Sequence, residues 1–147
     1  MIDIQHMAFH YRRKPQLFDQ LNWQLSAGRI VGLFGKNGSG KTTLLKILGG
    51  LRFPTSGQCR VLGYEPARRQ PAFLQQVYFL SEEPGESRQR MREYIHYYAP
   101  FYPRFQSDYL HRLLQEFRLD ANERLSNLSY GQRKKFFIAF ALAARCC

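Results

Sequence analysis

The sequence predicts an α/β fold in which two N-terminal strands, a strand–loop–helix core and a helical insert follow one another. Three patterns in the 147 residues indicate this order. Apolar and polar residues alternate at residues 2–11 and 21–25, which is typical of half-buried strands. A continuous apolar run at residues 30–34 precedes a glycine-rich loop and a segment with helical spacing. Beyond residue 83, aromatic and charged residues dominate and helical spacing returns.

The strands are predicted from the pattern of apolar residues. Residues 2–11 alternate loosely and residues 21–25 alternate strictly, so each is expected to bury one face. Residues 30–34 are Ile-Val-Gly-Leu-Phe, and a run without polar residues predicts a strand that is buried on both faces. Residues 59–62 and 77–80 are two further short strand candidates.

The helices are predicted from a period of 3.6 residues. The first begins at Lys41, and its apolar face is formed by Leu44, Ile47, Leu48 and Leu51. The second has an apolar face made of Leu110, Leu113, Leu114 and Phe117. The last begins at Ser129 and has on one side Phe136, Phe137, Phe140, Ala141 and Ala144. We therefore predict a core at residues 1–82, a helical subdomain at residues 83–128, and a segment at residues 129–147 that returns to the core.

The composition limits the classes of function. The formal net charge is +11, but the basic residues are scattered along the chain, so we expect no nucleic-acid partner. The three cysteines form no C-x-x-C pair, so neither a disulfide framework nor a zinc site is predicted. No run of about 18 apolar residues occurs, and any membrane role is therefore expected to come through a partner.

A phosphate-binding loop is predicted at residues 35–42, which fit the pattern G-x-x-x-x-G-K-[ST] in full. Glycines let the main chain curl so that its amides point at a polyphosphate, and the helix that follows adds its positive dipole end. Lys41 is expected to reach the β- and γ-phosphates of ATP, and Thr42 to ligate Mg²⁺. A ligand-free turn has no need of Lys41 and Thr42 at the helix start. The predicted nucleotide-binding residues of this loop are Gly35, Asn37, Gly38, Ser39, Gly40, Lys41, Thr42 and Thr43.

A second motif lies at residues 128–132, Leu-Ser-Tyr-Gly-Gln, about 90 residues beyond the loop and directly before a basic and then apolar helix. The pair of motifs in this order resembles the ATP-binding cassette (ABC) ATPases, whose signature is LSGGQ. The resemblance covers the whole chain and includes Gly28, the residues from Gly50 to Gly57, and Gly63. It implies a P-loop NTPase core of the RecA-like type, with an N-terminal antiparallel β subdomain and a helical insert.

The resemblance also implies roles for single residues. Tyr11 is expected to stack on the adenine ring, and the alternative is an ordinary strand aromatic. Ser129, Gly131 and Gln132 are expected to contact the γ-phosphate that the loop of a second subunit holds. ATP would thus lie between two cassettes of a homodimer or heterodimer. The chain departs from the family at Tyr130, where glycine is usual. This side chain is expected either to crowd the nucleotide or to point outward.

Glu82 stands where many members of the family have a glutamine that helps to hold Mg²⁺. A carboxylate also suits this hard cation, so Glu82 is a candidate metal-linked residue, with a solvated loop charge as the alternative. Residues 77–82 are not interpreted as the Walker B strand, because Ser81 occupies the position of its aspartate.

The resemblance implies the ATP-binding subunit of an ABC transporter, which binds ATP and Mg²⁺ and is held by a membrane permease at the inner face of the cell membrane. Export is the preferred direction, from overall resemblance. Residues 94–102 are rich in aromatics and are expected either to contact the permease or to pack inside the insert. We expect the chain to be truncated before Walker B and the catalytic carboxylate. The alternatives are an inactive nucleotide-binding remnant and a non-transport ABC protein acting on nucleic acid.

We expect the 147-residue chain alone to hydrolyse ATP negligibly and to be poorly soluble or marginally stable. Hydrolysis needs a carboxylate that holds Mg²⁺ and a group that positions water, and neither follows the signature helix here. The measurement is phosphate release by the purified chain with Mg²⁺ and ATP. Sustained Mg²⁺-dependent turnover would contradict the expectation.

Overall fold

A computed structural model describes residues 1–82 and 87–146, which belong to two compact units, Met1–Leu74 and Gln75–Cys147. The predicted boundary between residues 82 and 83 borders on residues 83–86, and the last predicted segment ends at residue 147. These five residues lie outside the described part of the chain.

The first unit contains an antiparallel sheet of three strands in the order β2-β1-β3. The strands are β1 (Ile2–His10), β2 (Gln16–Leu25) and β3 (Ser56–Val61). In the central strand, Ile4 pairs with Trp23 on one side and with Cys59 on the other. Burial of Ile4 and exposure of Gln5 follow the predicted alternation. The predicted N-terminal antiparallel sheet is therefore confirmed.

Helix α1 (Lys41–Leu48) begins where the sequence predicts and buries Leu44 and Ile47. It ends at Gly49, and Gly50 follows with a φ of +69°. A Cβ on Gly50 would lie 2.6 Å from the carbonyl oxygen of Pro66, so a side chain is excluded there. A short helix at Pro66–Arg68 and α2 (Pro71–Leu74) complete this unit.

The predicted buried strand at residues 30–34 is wrong. Within the described residues this segment pairs with no strand, and Ile30 and Phe34 are almost fully exposed. An apolar run becomes a strand only when neighbouring strands accept its hydrogen bonds and other layers cover its faces. The three described strands instead pair among themselves, so this segment reaches the loop without regular structure.

The second unit is helical. Its helices are α3 (Met91–Tyr98), α4 (Ser107–Glu116) and α5 (Tyr130–Ala143), with short single turns at Ala99–Phe101 and Leu125–Asn127. The predicted apolar face of α4 lies in one cluster, with Leu110, Leu113 and Leu114 buried and Phe117 partly buried. The predicted face of α5 is only partly right, because Phe136, Phe137 and Phe140 are in the cluster but Ala141 is not, and Ala139 and Ala143 are buried there instead. Phe140 is fully buried in this cluster, and its ring lies within 6.5 Å of the rings of Tyr78, Tyr94, Tyr102, Phe105 and Phe136.

The predicted strand at residues 77–80 is also wrong, because these residues pair with no strand in the part of the chain that the structure describes. Tyr78 and Leu80 pack on the helical cluster, and the ring of Tyr78 lies 5.7 Å from that of Phe140. Burial raises the pKa of the Tyr78 phenol, and the neighbouring Tyr94 adds to the shift. Burial of the Tyr78 ring, and not strand pairing, thus holds residues 77–80 in place.

None of the helices in the described residues is both long and apolar enough to cross a membrane.

Phe140→Ala is expected to lower the free energy of unfolding by about 3 to 5 kcal/mol, because it opens a cavity among five aromatic rings. Phe101→Ala is the matched control, since Phe101 is 65% exposed and its truncation opens no cavity. Urea titrations followed by circular dichroism give both values. Equal effects of the two variants would contradict the central position of Phe140 in the packing.

Candidate functional site

The glycine-rich loop turns sharply and then enters α1 through a left-handed residue. The amide of Ser39 donates to the carbonyl of Lys36 at 3.2 Å, which closes the turn. Gly40, the residue before α1, has a φ of +94° and a ψ of +6°. A Cβ at this position would lie 2.7 Å from the ring of Phe18 on β2. The left-handed main-chain conformation favours glycine at position 40, and an added Cβ would also have to displace the ring of Phe18.

The first turn of α1 is open to a negatively charged ligand. It has no side-chain cap and no acidic residue, and the loop before it is exposed. The first amides of a helix have no partner within the helix, and they lie at the positive end of its dipole. Gly38, with a φ of +83° and open space around it, allows the loop to expose its main chain beside this end. The arrangement suits an anion such as a phosphate.

Lys41 lies over the loop that precedes it. Its ammonium donates to the carbonyl oxygens of Gly35 at 2.7 Å and Lys36 at 2.9 Å. The cation is therefore held beside the open amides of the loop, where an anionic ligand would meet it.

The two threonines after Lys41 have different surroundings. Thr42 is exposed in the first turn of α1, whereas Thr43 is buried. The hydroxyls of Thr43 and Tyr11 share a hydrogen bond of 2.8 Å. The ring of Tyr11 also meets that of Phe9 edge to face, with centroids 5.0 Å apart. The structure thus brings Tyr11, predicted to stack on adenine, to the start of α1, and the stacking role itself stays a prediction.

The signature residues form the start of α5. Ser129 is the N-cap, and its side chain accepts a hydrogen bond from the amide of Gln132 at 3.2 Å. The side chain of Gln132 in turn accepts from the amide of Ser129 at 2.9 Å. This reciprocal capping box stabilises the first turn of the helix. Gly131 is exposed, and nothing lies within 4 Å of the place its Cβ would take, so the main chain is open to close approach there.

Tyr130 and Glu82 meet in the second unit. The Tyr130 hydroxyl donates to the carbonyl oxygen of Glu82 at 2.8 Å, although its side chain is 53% exposed. Lys134, one turn later in α5, donates to the same hydroxyl at 3.2 Å. Sequence reasoning missed this contact and the part of Lys134 in it, because no local pattern relates residue 130 to residue 82.

The predicted site residues fall into the two units. The loop, Thr43 and Tyr11 lie in the first unit, whereas Glu82 and the signature residues lie in the second. Glu82 is exposed, and the described residues contain no group of three or more His, Cys, Asp or Glu side chains that would hold a metal ion. The metal roles of Thr42 and Glu82 therefore stay predictions.

The strongly raised pKa values belong to packing residues rather than to the loop or the signature. Burial, followed by the carboxylates of Asp3 and Glu65, raises the pKa of the Cys59 thiol to about 11. Burial raises the pKa of Tyr102 to about 12. Both groups are therefore protonated at neutral pH, and neither is a nucleophile there.

The sequence profile of the family described as "ABC transporter" matches residues 18–147, which include both the loop and the signature. This chain belongs to the ABC transporter family. ATP-binding proteins of this family bind ATP.

Two relatives illustrate the range of the family. The chain is 26% identical to the ABC transporter ATP-binding protein YtrB of Bacillus subtilis over 131 residues, which are 88% of this chain and 44% of YtrB. It is 28% identical to the leukotoxin export ATP-binding protein LtxB of Aggregatibacter actinomycetemcomitans, over 96% of this chain and 22% of LtxB. The chain thus spans less than half the length of either protein.

Solved structures share the fold. The ATP-binding subunit of an ABC transporter superposes with a TM-score of 0.85 at 24% identity, over 99% of this chain and 62% of the other. The dimeric bacterial cassette MJ0796 superposes with a TM-score of 0.81 at 22% identity, over 99% of this chain and 71% of the other. The predicted α/β fold of an ABC ATPase is confirmed by this similarity.

Ser129→Ala removes the oxygen that caps α5 and is expected to lower the free energy of unfolding by about 1 kcal/mol. Ser129→Asp keeps a capping oxygen and should restore most of that loss. Ser126→Ala is the control, since its exposed hydroxyl donates to the side chain of the neighbouring Asn127, at 3.3 Å, and caps no helix. The measurement is chemical unfolding followed by circular dichroism. A stability of Ser129→Ala equal to that of Ser126→Ala would show that the cap contributes nothing.

Proposed function

We propose that this chain is the ATP-binding part of an ABC transporter subunit and that it holds the triphosphate on residues 35–43. The observation that supports this most is the uncapped start of α1, with its left-handed glycine and the ammonium of Lys41 beside it. Such a helix start offers unpaired amides and a positive charge to the same anion.

Different residues of the site bind different parts of ATP. The main chain at Asn37, Gly38 and Ser39 supplies amide donors to the phosphates. Lys41 moves from its two carbonyl acceptors to the β- and γ-phosphates, because a phosphate oxygen is the stronger partner for an ammonium. Tyr11 packs against the adenine ring from beyond the end of β1.

Mg²⁺ fits the residues that are present. The exposed hydroxyl of Thr42 lies in the first turn of α1, beside the predicted position of the phosphates. Mg²⁺ takes oxygen ligands and keeps several of its waters, so one hydroxyl together with phosphate oxygens meets its needs. Glu82 adds a carboxylate for the ion or for one of its waters. Bound there, the ion neutralises charge on the β- and γ-phosphates.

The signature residues act on the nucleotide of a second cassette. Ser129 and Gly131 form an exposed helix start where a γ-phosphate can approach the main chain. Relatives with the same fold form dimers, and one dimer of MJ0796 holds ADP and Pi. A homodimer and a heterodimer both fit this arrangement, and the partner's identity does not alter the role of the motif.

In the whole protein, ATP hydrolysis drives transport through a membrane permease at the inner face of the membrane. The family supports an ATPase that serves a transporter. Export is the direction we propose, and the similarity to LtxB, a leukotoxin export ATP-binding protein, supports it. Tyr97 and Phe101, which are 58% and 65% exposed, are the aromatic residues of the helical unit that we assign to the permease contact.

A second candidate function is nucleotide binding without turnover. The exposure of Ile30 and Phe34 favours it, because the segment before the loop is not held in a sheet. Catalysis depends on groups that are fixed in place before the reaction, whereas binding tolerates a loop that orders on its ligand. Measuring ATP binding and phosphate release on the same preparation separates the two functions.

Lys41→Met is expected to weaken Mg²⁺–ATP binding at least tenfold, because a hydrogen-bonded charge pair with phosphate is lost. Lys46→Met is the matched control, since it removes the same charge from the last turn of the same helix. Isothermal titration calorimetry gives both affinities. Equal weakening by the two variants would mean that net charge, and not the loop, attracts the nucleotide.

A further inference from the structure

Tyr130 makes a contact that the usual signature cannot make. It is the first residue of α5, directly after the N-cap Ser129. Its hydroxyl donates to the main-chain oxygen of Glu82 at 2.8 Å, across 48 residues of sequence. Glycine, which is usual at this position, has no side chain with which to form such a bond.

Lys134 fixes the direction of this hydrogen bond. Its ammonium donates to the Tyr130 oxygen at 3.2 Å and lies 5.3 Å from the centre of the ring. An ammonium has no acceptor, so the phenolic oxygen must accept from Lys134 and donate its own proton to Glu82. Because the oxygen accepts from a cation, its proton is a stronger donor than in an isolated phenol. The three residues therefore form one directed chain of hydrogen bonds.

Residues 79–82, which contain the acceptor Glu82, have few other hydrogen bonds to their main chain among the described residues. Residues 79–82 lie in no helix or strand. Among the described residues, the bond from Tyr130 is the one hydrogen bond that reaches the main chain of this segment. Leu80 packs on the helical cluster, but Glu82 itself is exposed. The position of the Glu82 main chain therefore depends on the first turn of α5.

We propose that Tyr130 is a positioning residue, which holds Glu82 at a fixed place relative to the signature helix so that its carboxylate is available to Mg²⁺. This inference rests on the metal role of Glu82 in the proposed function. Tyr130 touches neither nucleotide nor metal in this role and acts through the Glu82 main chain. The chain thus joins its candidate metal residue to its signature by a bond that other cassettes with glycine lack.

Tyr130→Phe in the intact protein tests the proposal, since it keeps the ring beneath Lys134 and removes only the hydroxyl. We expect the carbonyl ¹³C resonance of Glu82 to shift, because it loses a hydrogen bond. The Mg²⁺ concentration for half-maximal ATP binding should rise about 2- to 10-fold, which corresponds to one hydrogen bond. ATP binding without Mg²⁺ should not change. Lys134→Met should move both readouts in the same direction, but less.

Tyr109→Phe is the matched control. Tyr109 lies on α4, and its ring also has cations nearby, with Arg112 and Arg145 at 5.6 and 5.9 Å from its centre. Neither readout should respond to this change. Thermal unfolding of each variant shows whether the helical unit is intact. A general loss of stability would weaken ATP binding both with and without Mg²⁺, whereas the proposal predicts a change only with Mg²⁺.

Two results would overturn the proposal, and they are distinguishable from each other. If Tyr130→Phe leaves the Glu82 resonance or the Mg²⁺ requirement unchanged while Glu82→Ala raises that requirement, then Glu82 serves the metal without help from Tyr130. If Glu82→Ala has no effect on the Mg²⁺ requirement although Lys41→Met weakens ATP binding as expected, then the metal role of Glu82 is wrong and so is the positioning role of Tyr130. Loss of ATP binding is not needed for either result.

Discussion

The left-handed main chain at Gly40, against which the ring of Phe18 packs, is the constraint on which the predicted phosphate site depends. The loop enters α1 through a left-handed residue, and a side chain at that residue would have to displace Phe18 of the neighbouring β2. The sheet therefore fixes where α1 begins and which way its first amides point. Lys41 and Thr42 take their positions from that helix start, and Tyr11 is tied to it through Thr43. The antiparallel sheet thus serves as the support for the loop.

Helices α1 and α5, which begin at the two motifs, differ in whether the amides of their first turn are capped. α5 satisfies its first turn internally, through the capping box of Ser129 and Gln132. α1 has no such cap and leaves its first amides exposed to a ligand. A helix that is already capped is stable without a ligand and presents a fixed surface, whereas an uncapped helix gains stability when an anion arrives. This difference fits a loop that holds the nucleotide and a signature that approaches it from another subunit.

Sequence reasoning was accurate where structure is decided locally. The start of α1, the cap at Ser129, the buried face of α4 and the buried phenylalanines of α5 all follow from glycine, capping residues and a period of 3.6 residues. It failed at residues 30–34 and 77–80, because an apolar run shows that a segment suits a strand but not that a neighbouring strand is there to pair with it. Side-chain packing of Tyr78 then decided the second segment.

In the candidate site, too, the features that depend on local sequence were predicted and the long-range contacts were not. Each loop residue was named from a pattern whose chemistry is local, and the structure places them on one turn and one helix start. The bond from Tyr130 to Glu82 was not predictable, because it joins residues 48 positions apart and follows from how α5 packs. Tyr11 was named as a site residue from the family resemblance, and its hydrogen bond to Thr43 was not predicted.

The uneven distribution of aromatic residues between the two units gives the protein separate optical reporters. Its one tryptophan, Trp23, pairs with Ile4 in the sheet of the first unit. All tyrosines except Tyr11 and Tyr64 belong to the second unit, where several are packed around Phe140. Tryptophan emission therefore follows melting of the sheet, and near-ultraviolet dichroism is dominated by tyrosines of the helical unit. Coincident or separated transitions in these two signals reveal whether the molecule melts as one cooperative body or in two steps.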